Sequence, residues 1–238
     1  MPLPTISTPT YELVLPSSNR KIKFRPFLVK EEKILILAME SQDTKQIANA
    51  VKSVITHCIL TKGIKVEKLS TFDIEYLFLN IRGKSVGEDI EVMVTCPDDG
   101  KTQVPASINI DSIKVQKSDN HNADIKLDDT YTLRMTYPSL NEFIKSNFNA
   151  EDIKVDDTFE LIASCIDQVY SDDESWASEE CTKKELTSFV ESLNSNQFKK
   201  VEKFFETMPK LSHTVKVINP NTNKENEIII EGLQSFFG

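Results

Sequence analysis

The chain has 238 residues, with 28 Lys+Arg against 37 Asp+Glu and a formal charge of −9. At 39% hydrophobic and 27% charged it is expected to be a soluble globular protein of one or two domains, neither disordered nor collagen-like. Only six glycines argue against a glycine-rich phosphate cradle, and the negative charge argues against sequence-independent nucleic-acid binding.

The charge is segregated. Residues 1–70 carry net +5, residues 71–150 net −5 and residues 181–238 net +1, whereas residues 151–180 carry one basic and 11 acidic side chains, net −10. That window covers a predicted helix and the loop after it.

In chain order, residues 1–10 read as an extended arm, and Tyr11–Leu15 and Lys21–Phe24 as a hairpin across Pro-Ser-Ser-Asn. The apolar run in Leu28–Glu40 predicts a largely buried helix broken at Ser41–Asp43. A second helix starts at Asp43 and Gln46 in capping-box spacing, carries Val51, Val54, Ile55 and Cys58 on one stripe, and is expected to end at Lys62-Gly63. Ser70 and Asp73 open a third helix, apolar at Phe72, Leu77, Phe78 and Ile81, with Arg82–Gly87 as a loop. Residues 88–95 alternate as a half-buried strand, Cys96–Lys101 is a tight turn, and a return strand starts at Thr102. A polar loop over 116–124 leads to a hairpin signal at Ile125–Leu127 and Tyr131–Tyr137, then a short helix at Ser139 and Glu142. Thr158–Tyr170 reads as one amphipathic helix; Thr182 with Glu185 and Asn194 with Gln197 cap two more, and Pro209 stops the last. Val215–Ile218 and Glu227–Ile230 read as strands around a final turn. The fold class is α+β, helical blocks combined with β-hairpins.

No stretch reaches the roughly 20 apolar residues of a membrane helix, and Met-Pro-Leu-Pro lacks the features of a signal peptide. Cys58, Cys96, Cys165 and Cys181 are scattered, so reduced thiols in an intracellular protein are expected.

Two turns resemble each other. Cys96-Pro-Asp-Asp-Gly-Lys101 and Asn219-Pro-Asn-Thr-Asn-Lys224 both follow an apolar strand and read x-Pro-x-x-[Gly/Asn]-Lys. Gly100 and Asn223 occupy the matched position, where a left-handed backbone is tolerated by just these residue types. The pattern is that of a zinc knuckle, in which Cys-Pro-x-Cys turns of two hairpins complete a Cys₄ site. The four ligand positions here are Cys96, Asp99, Asn219 and Thr222, with a single thiol among them. The expectation is a degenerate, zinc-ribbon-like pair of knuckle hairpins lacking metal ligands, held by packing and strand pairing; two unrelated turns remain the alternative. Equivalent positions are 123 residues apart, so the expected domains are 1–87, an N-terminal hairpin and helical region, and 88–238, a knuckle module with a helical insertion at about 139–209.

No catalytic, cofactor-binding or metal site is expected. His57 and Cys58 are adjacent on a helix and point about 100° apart, against a dyad. His121 falls in the polar loop and His213 just before a strand; Asp128-Asp129 and Asp156-Asp157 occupy turn and helix-start positions. The acidic run around Trp176 lacks EF-hand spacing, and Trp176, the sole Trp, either folds back onto the helices or docks on a partner. Basic side chains from Arg20 to Lys33 read as a solvated face or one that meets an acidic surface in an assembly.

Three segments carry a resemblance: Phe24-Arg-Pro-Phe-Leu-Val-Lys-Glu-Glu-Lys33, Phe78-Leu-Asn-Ile-Arg-Gly-Lys-Ser-Val-Gly-Glu88 and Phe204-Phe-Glu-Thr-Met-Pro-Lys-Leu211. With the closing Glu231-Gly-Leu-Gln-Ser-Phe-Phe237, they resemble the baseplate hub subunit or assembly protein of T4-like contractile-tailed bacteriophages. Members often carry Cys-Pro-x-Cys-Gly at both turns; this chain departs at three of the four thiol positions, so zinc is not carried over. The resemblance implies a non-enzymatic structural or assembly subunit made in the host cytoplasm, as a transient factor or a part of the virion. Its partners would be other hub and tail proteins, with no cofactor, membrane or nucleic acid. The alternative is a zinc-ribbon regulatory protein that binds metal and nucleic acid.

Overall fold

The computed structural model describes residues 6–140 and 155–232, which form two units. Among the described residues, one comprises 6–66, 72–116 and 210–232, the other 67–71, 117–140 and 155–209. Glu142 of the expected Ser139 cap and the apolar Leu233–Gly238 end fall outside the described residues. Within them, six α-helices and several small antiparallel sheets make the fold α+β, as the sequence implies.

The first unit opens with strands β1 (Tyr11–Val14) and β2 (Lys21–Phe24), paired antiparallel across a turn in which Asn19 takes φ 54°. Helix α1 (Val29–Glu40) packs on α2 (Thr44–Cys58). The expected burial of α1 is not observed. Glu31, Leu35 and Ala38, at helical spacing, face inward, while Val29, Ile36 and Leu37 are 80%, 50% and 55% exposed. Its apolar residues run round the whole helix, and packing on α2 covers one stripe alone.

Helix α2 behaves as its periodicity requires: Val51, Val54, Ile55 and Cys58 are fully buried. Asp43 caps it by accepting the Lys45 and Gln46 N–H groups, at 2.8 and 3.3 Å. The helix ends at Cys58, short of Lys62-Gly63, because the chain turns there to join β2. The Arg25 N–H donates to the Cys58 carbonyl at 3.0 Å and the Leu60 N–H to the Lys23 carbonyl at 2.8 Å.

Helix α3 (Thr71–Val86) is buried on most sides through Phe72, Ile74, Leu77, Phe78 and Ile81. The stretch expected as a loop from Arg82 is helical to Val86. Gly83 lies inside that helix, against Ile110, where an added Cβ would make an ordinary van der Waals contact at 3.4 Å. Asp73, fully buried, accepts both the N–H of Ser17, at 3.1 Å, and its hydroxyl, fastening the first hairpin's turn to α3.

Strands β3 (Asp89–Thr95) and β4 (Gln103–Asn109) alternate buried and exposed along their full length, as the acidic/apolar alternation predicts. β5 (Lys114–Gln116) pairs with the start of β10 (Lys210–Ile218), which pairs along its length with β11 (Glu225–Glu231). Ile90, Val92, Ile108, Leu211, Val215 and Ile230 share one core with Leu79 of α3 and Cys96.

In the second unit, β6 (Asp124–Lys126), β7 (Thr132–Met135), β8 (Ile166–Tyr170) and β9 (Ser175–Ala177) form one sheet in that order. It shares a core with α4 (Val155–Ser164), α5 (Lys183–Ser192) and α6 (Ser195–Thr207), built on Leu133, Ile162, Ile166, Val201 and Phe204. The helix expected over Thr158–Tyr170 therefore divides: α4 ends at Ser164 and residues 166–170 are a strand. Ile166 and Val169 are β-branched, and pairing Val169 with Leu133 supplies the ladder bonds a continued helix would have made internally. The capping boxes at Thr182/Glu185 and Asn194/Gln197 are both formed. No helix among the described residues is long and apolar enough to cross a membrane.

Candidate functional site

The two matched turns lie in the same unit and face each other. Each bends in the same way: the Gly100 N–H donates to the Cys96 carbonyl at 2.9 Å, and the Asn223 N–H to the Asn219 carbonyl at 2.8 Å. The matched fourth positions also act alike. Asp99 Oδ1 accepts the Lys101 N–H at 3.0 Å, and Thr222 Oγ1 accepts the Lys224 N–H at 3.4 Å. In a metal-loaded knuckle a thiolate sits at these places; here oxygen acceptors hold the turns in shape.

Across the pair, hydrogen bonds run where a metal's coordination sphere would. Asn219 Nδ2 donates to Asp98 Oδ1 at 2.8 Å, and the Thr222 hydroxyl donates to Asp98 Oδ2. Asn221 Nδ2 donates to Thr102 Oγ1 at 2.9 Å, and the Asp98 N–H to Asn226 Oδ1 at 3.2 Å. Cys96 and Asn219 are fully buried beneath this network.

Its electrostatics follow from the donors. The hydroxyl and N–H of Thr102, the Lys101 N–H and the Asn219 amide hold the Asp99 carboxyl far below the usual carboxylate range. Thr222 and Asn219 likewise depress Asp98, against partial desolvation and the like charge of Asp99. Burial, with Asp98 and Asp99 beside it, pushes the Cys96 thiol up. The pair thus presents two ionised, hydrogen-bonded carboxylates and one protonated thiol, a poor set for proton transfer or nucleophilic attack. Its donor set does not suit zinc either: Asn219 and Thr222 are weak ligands and are engaged in hydrogen bonds. Among the described residues no group of three or more His, Cys, Asp or Glu is placed to hold a metal ion.

The remaining candidates stay apart. His57 is exposed and Cys58 buried; burial raises the Cys58 thiol to about 11, with Arg25 Nη1 3.8 Å from its sulfur. His121 is enclosed by rings, stacked on Tyr137 at 5.6 Å and tilted on Phe204 at 5.0 Å, with its nitrogens 3.1 Å from Thr207 Oγ1 and Tyr137 Oη. His213 lies on β10 opposite Ile230. Asp128 accepts the N–H groups of Thr130 and Tyr131, the turn role expected of it. All four cysteines are free thiols, three of them buried.

The acidic window is spread more widely than a helix and its loop. It covers α4, β8, the β8–β9 hairpin and a 3-10 turn at Ser178–Glu180. Trp176 is in β9, opposite Val169, with its ring 6.2 Å from that of Tyr131 and 40% of its surface exposed.

Asp98, Asn221 and Asn226 lie outside the four ligand positions of the knuckle pattern. Asp98 sits where a zinc knuckle has its spacer residue, so a motif search passes over it. The doubled Asp98-Asp99 was the available signal, since a second carboxylate in a four-residue turn needs donors from elsewhere.

Residues 8–238 match a family profile described as T4 bacteriophage base plate protein. The chain has no match among curated proteins and none among solved structures.

Proposed function

The chain belongs to the T4 bacteriophage base plate protein family, and we propose that within the baseplate it is a non-enzymatic hub subunit or hub-assembly factor acting through protein–protein contacts. The observation that carries this reading is the knuckle pair. The place where this fold would hold a metal is occupied by a hydrogen-bonded bridge between Asp98, Asn219 and Thr222, a joint and not a reactive centre. Helix α1 adds support, since Val29, Ile36 and Leu37 stand out of their own unit as apolar surface of the kind contacts use. The hub role rests on the likeness of Phe24–Lys33, Phe78–Glu88 and Phe204–Leu211 to hub subunits. Assembly in the infected bacterial cytoplasm, with no cofactor and no metal, completes the proposal.

The test uses the full chain as bait against separately produced baseplate proteins, with zinc measured on the same preparation. Capture of at least one hub component, weakened by Leu37→Glu and free of zinc, is the expected result. One zinc per chain together with nucleic-acid binding would replace this reading with that of a zinc-ribbon regulatory protein.

A further inference from the structure

The second unit's sheet carries a cross-strand row that begins in the core and ends in the open. Ile125 pairs with Leu133, Leu133 with Val169 and Val169 with Trp176, so all four side chains share one face. The first three are buried; Trp176 is 40% exposed. Beside it lies a pocket of about 310 Å³ lined by Tyr131, Val169, Trp176, Cys181, Leu186 and Phe189, with Glu185 as its single charged wall. The Glu185 carboxylate is already engaged, accepting the Thr182 N–H and hydroxyl at 2.7 Å each. What the pocket offers an occupant is therefore apolar. Its volume is at the bottom of the range for ligand sites, room for one large side chain and too little for a nucleotide cofactor.

The rim is acidic. Asp172, Asp173 and Glu174 form the hairpin just before Ser175-Trp176, and Glu179 and Glu180 occupy the turn between Trp176 and Cys181. All five are exposed. Lys183, two residues after Cys181, is paired with Glu160. Negative charge around an apolar socket selects an apolar anchor with positive neighbours, through both attraction and rejection of acidic competitors.

We propose that the Trp176 pocket is a docking site for a partner protein's segment that presents one Phe or branched aliphatic side chain flanked by Lys or Arg. The proposal rests on the reading that this chain works through protein contacts and names the chemistry of one such contact. The lone Trp makes it directly testable in the full chain. The probe is the peptide acetyl-Lys-Lys-Phe-Lys-Lys-amide, followed by Trp176 fluorescence, with Lys-Lys-Ala-Lys-Lys and Glu-Glu-Phe-Glu-Glu as comparisons. The expected result is a saturable change with the first peptide, roughly tenfold weaker binding of the other two, and affinity falling as salt rises. Cys181→Phe, which fills the pocket from its wall, should abolish the change. A D172K/D173K/E174K variant should remove its salt dependence, with circular dichroism confirming that both variants fold. No saturable change, equal binding of all three peptides, or full binding by folded Cys181→Phe overturns the proposal. Capture of baseplate proteins by Cys181→Phe at the wild-type level would retire this pocket while leaving the contact reading intact. Failure of the wild-type chain to capture any of them would retire that reading.

Discussion

Gly100 and Asn223, 123 residues apart, share a left-handed backbone, with φ of +65° and +56°. Nothing lies within 4 Å of where a Gly100 Cβ would be, so the demand there is conformational and not steric. Gly100→Ala is expected to cost about 1–2 kcal/mol through the left-handed strain of an L side chain. Asn223→Gly should be neutral or stabilising by a few tenths, and Asn223→Val should cost more than Gly100→Ala. Urea denaturation of the three variants measures the order.

The bridge between the turns should be convertible back into a metal site. Cys96 is already a thiol, and the Asp99→Cys, Asn219→Cys and Thr222→Cys triple variant completes a Cys₄ set on two facing hairpins. We expect it to bind one zinc and to lose stability on chelation, whereas chelators should leave the wild-type melting temperature unchanged. A triple variant that folds but binds no zinc would show that the two turns do not have knuckle geometry.

Arg25 and Glu31 form an ion pair at 3.0 Å inside the first unit, with 14% and 1% of their side chains exposed. Burial alone pushes the Glu31 carboxyl up, but the Arg25 hydrogen bond, the Leu28 N–H and the charges of Arg25 and Lys30 leave it below its ordinary value. Arg25→Ala leaves the buried carboxylate with the Leu28 N–H and the exposed Lys30 as partners and is expected to cost about 2 kcal/mol. The R25M/E31M double variant should recover part of that loss, and a double-mutant cycle by denaturant melts gives the coupling.

Burial, with the charge of Lys117 nearby, depresses the His121 imidazole below its ordinary value of 6.5. The neutral ring is the folded form, so its contribution is fully present above the unfolded value. It is lost as pH falls from about 6.5 through the depressed folded value. The melting temperature should fall across that interval in the wild type and change less in His121→Gln, which retains hydrogen-bonding groups but does not titrate there.

Local signals in the sequence proved dependable where a few neighbouring residues decide the outcome. The boxes at Thr182/Glu185 and Asn194/Gln197, the alternation of β3 and the stripe of α2 all formed as read. Each depends on hydrogen bonds or side-chain spacing within one element. Readings failed where distant partners intervene: α2 stops at Cys58 because β2 takes its next residues, and residues 166–170 leave a helical pattern for a place beside β7.

By itself the sequence determined the α+β class, the likeness to phage baseplate proteins now matched over residues 8–238, and the repeat of the two turns. Composition, periodicity and short motifs record these because each is a property of residues close together in the chain. Tertiary structure alone decided that the turns meet through Asp98, that the apolar residues of α1 divide into a packed and a bare face, and that Trp176 of the acidic window lines a pocket with Tyr131, Leu186 and Phe189. Those relations join residues up to 128 positions apart, as Asp98 and Asn226 are. They exist through burial and donor–acceptor matching that appear when the chain is folded.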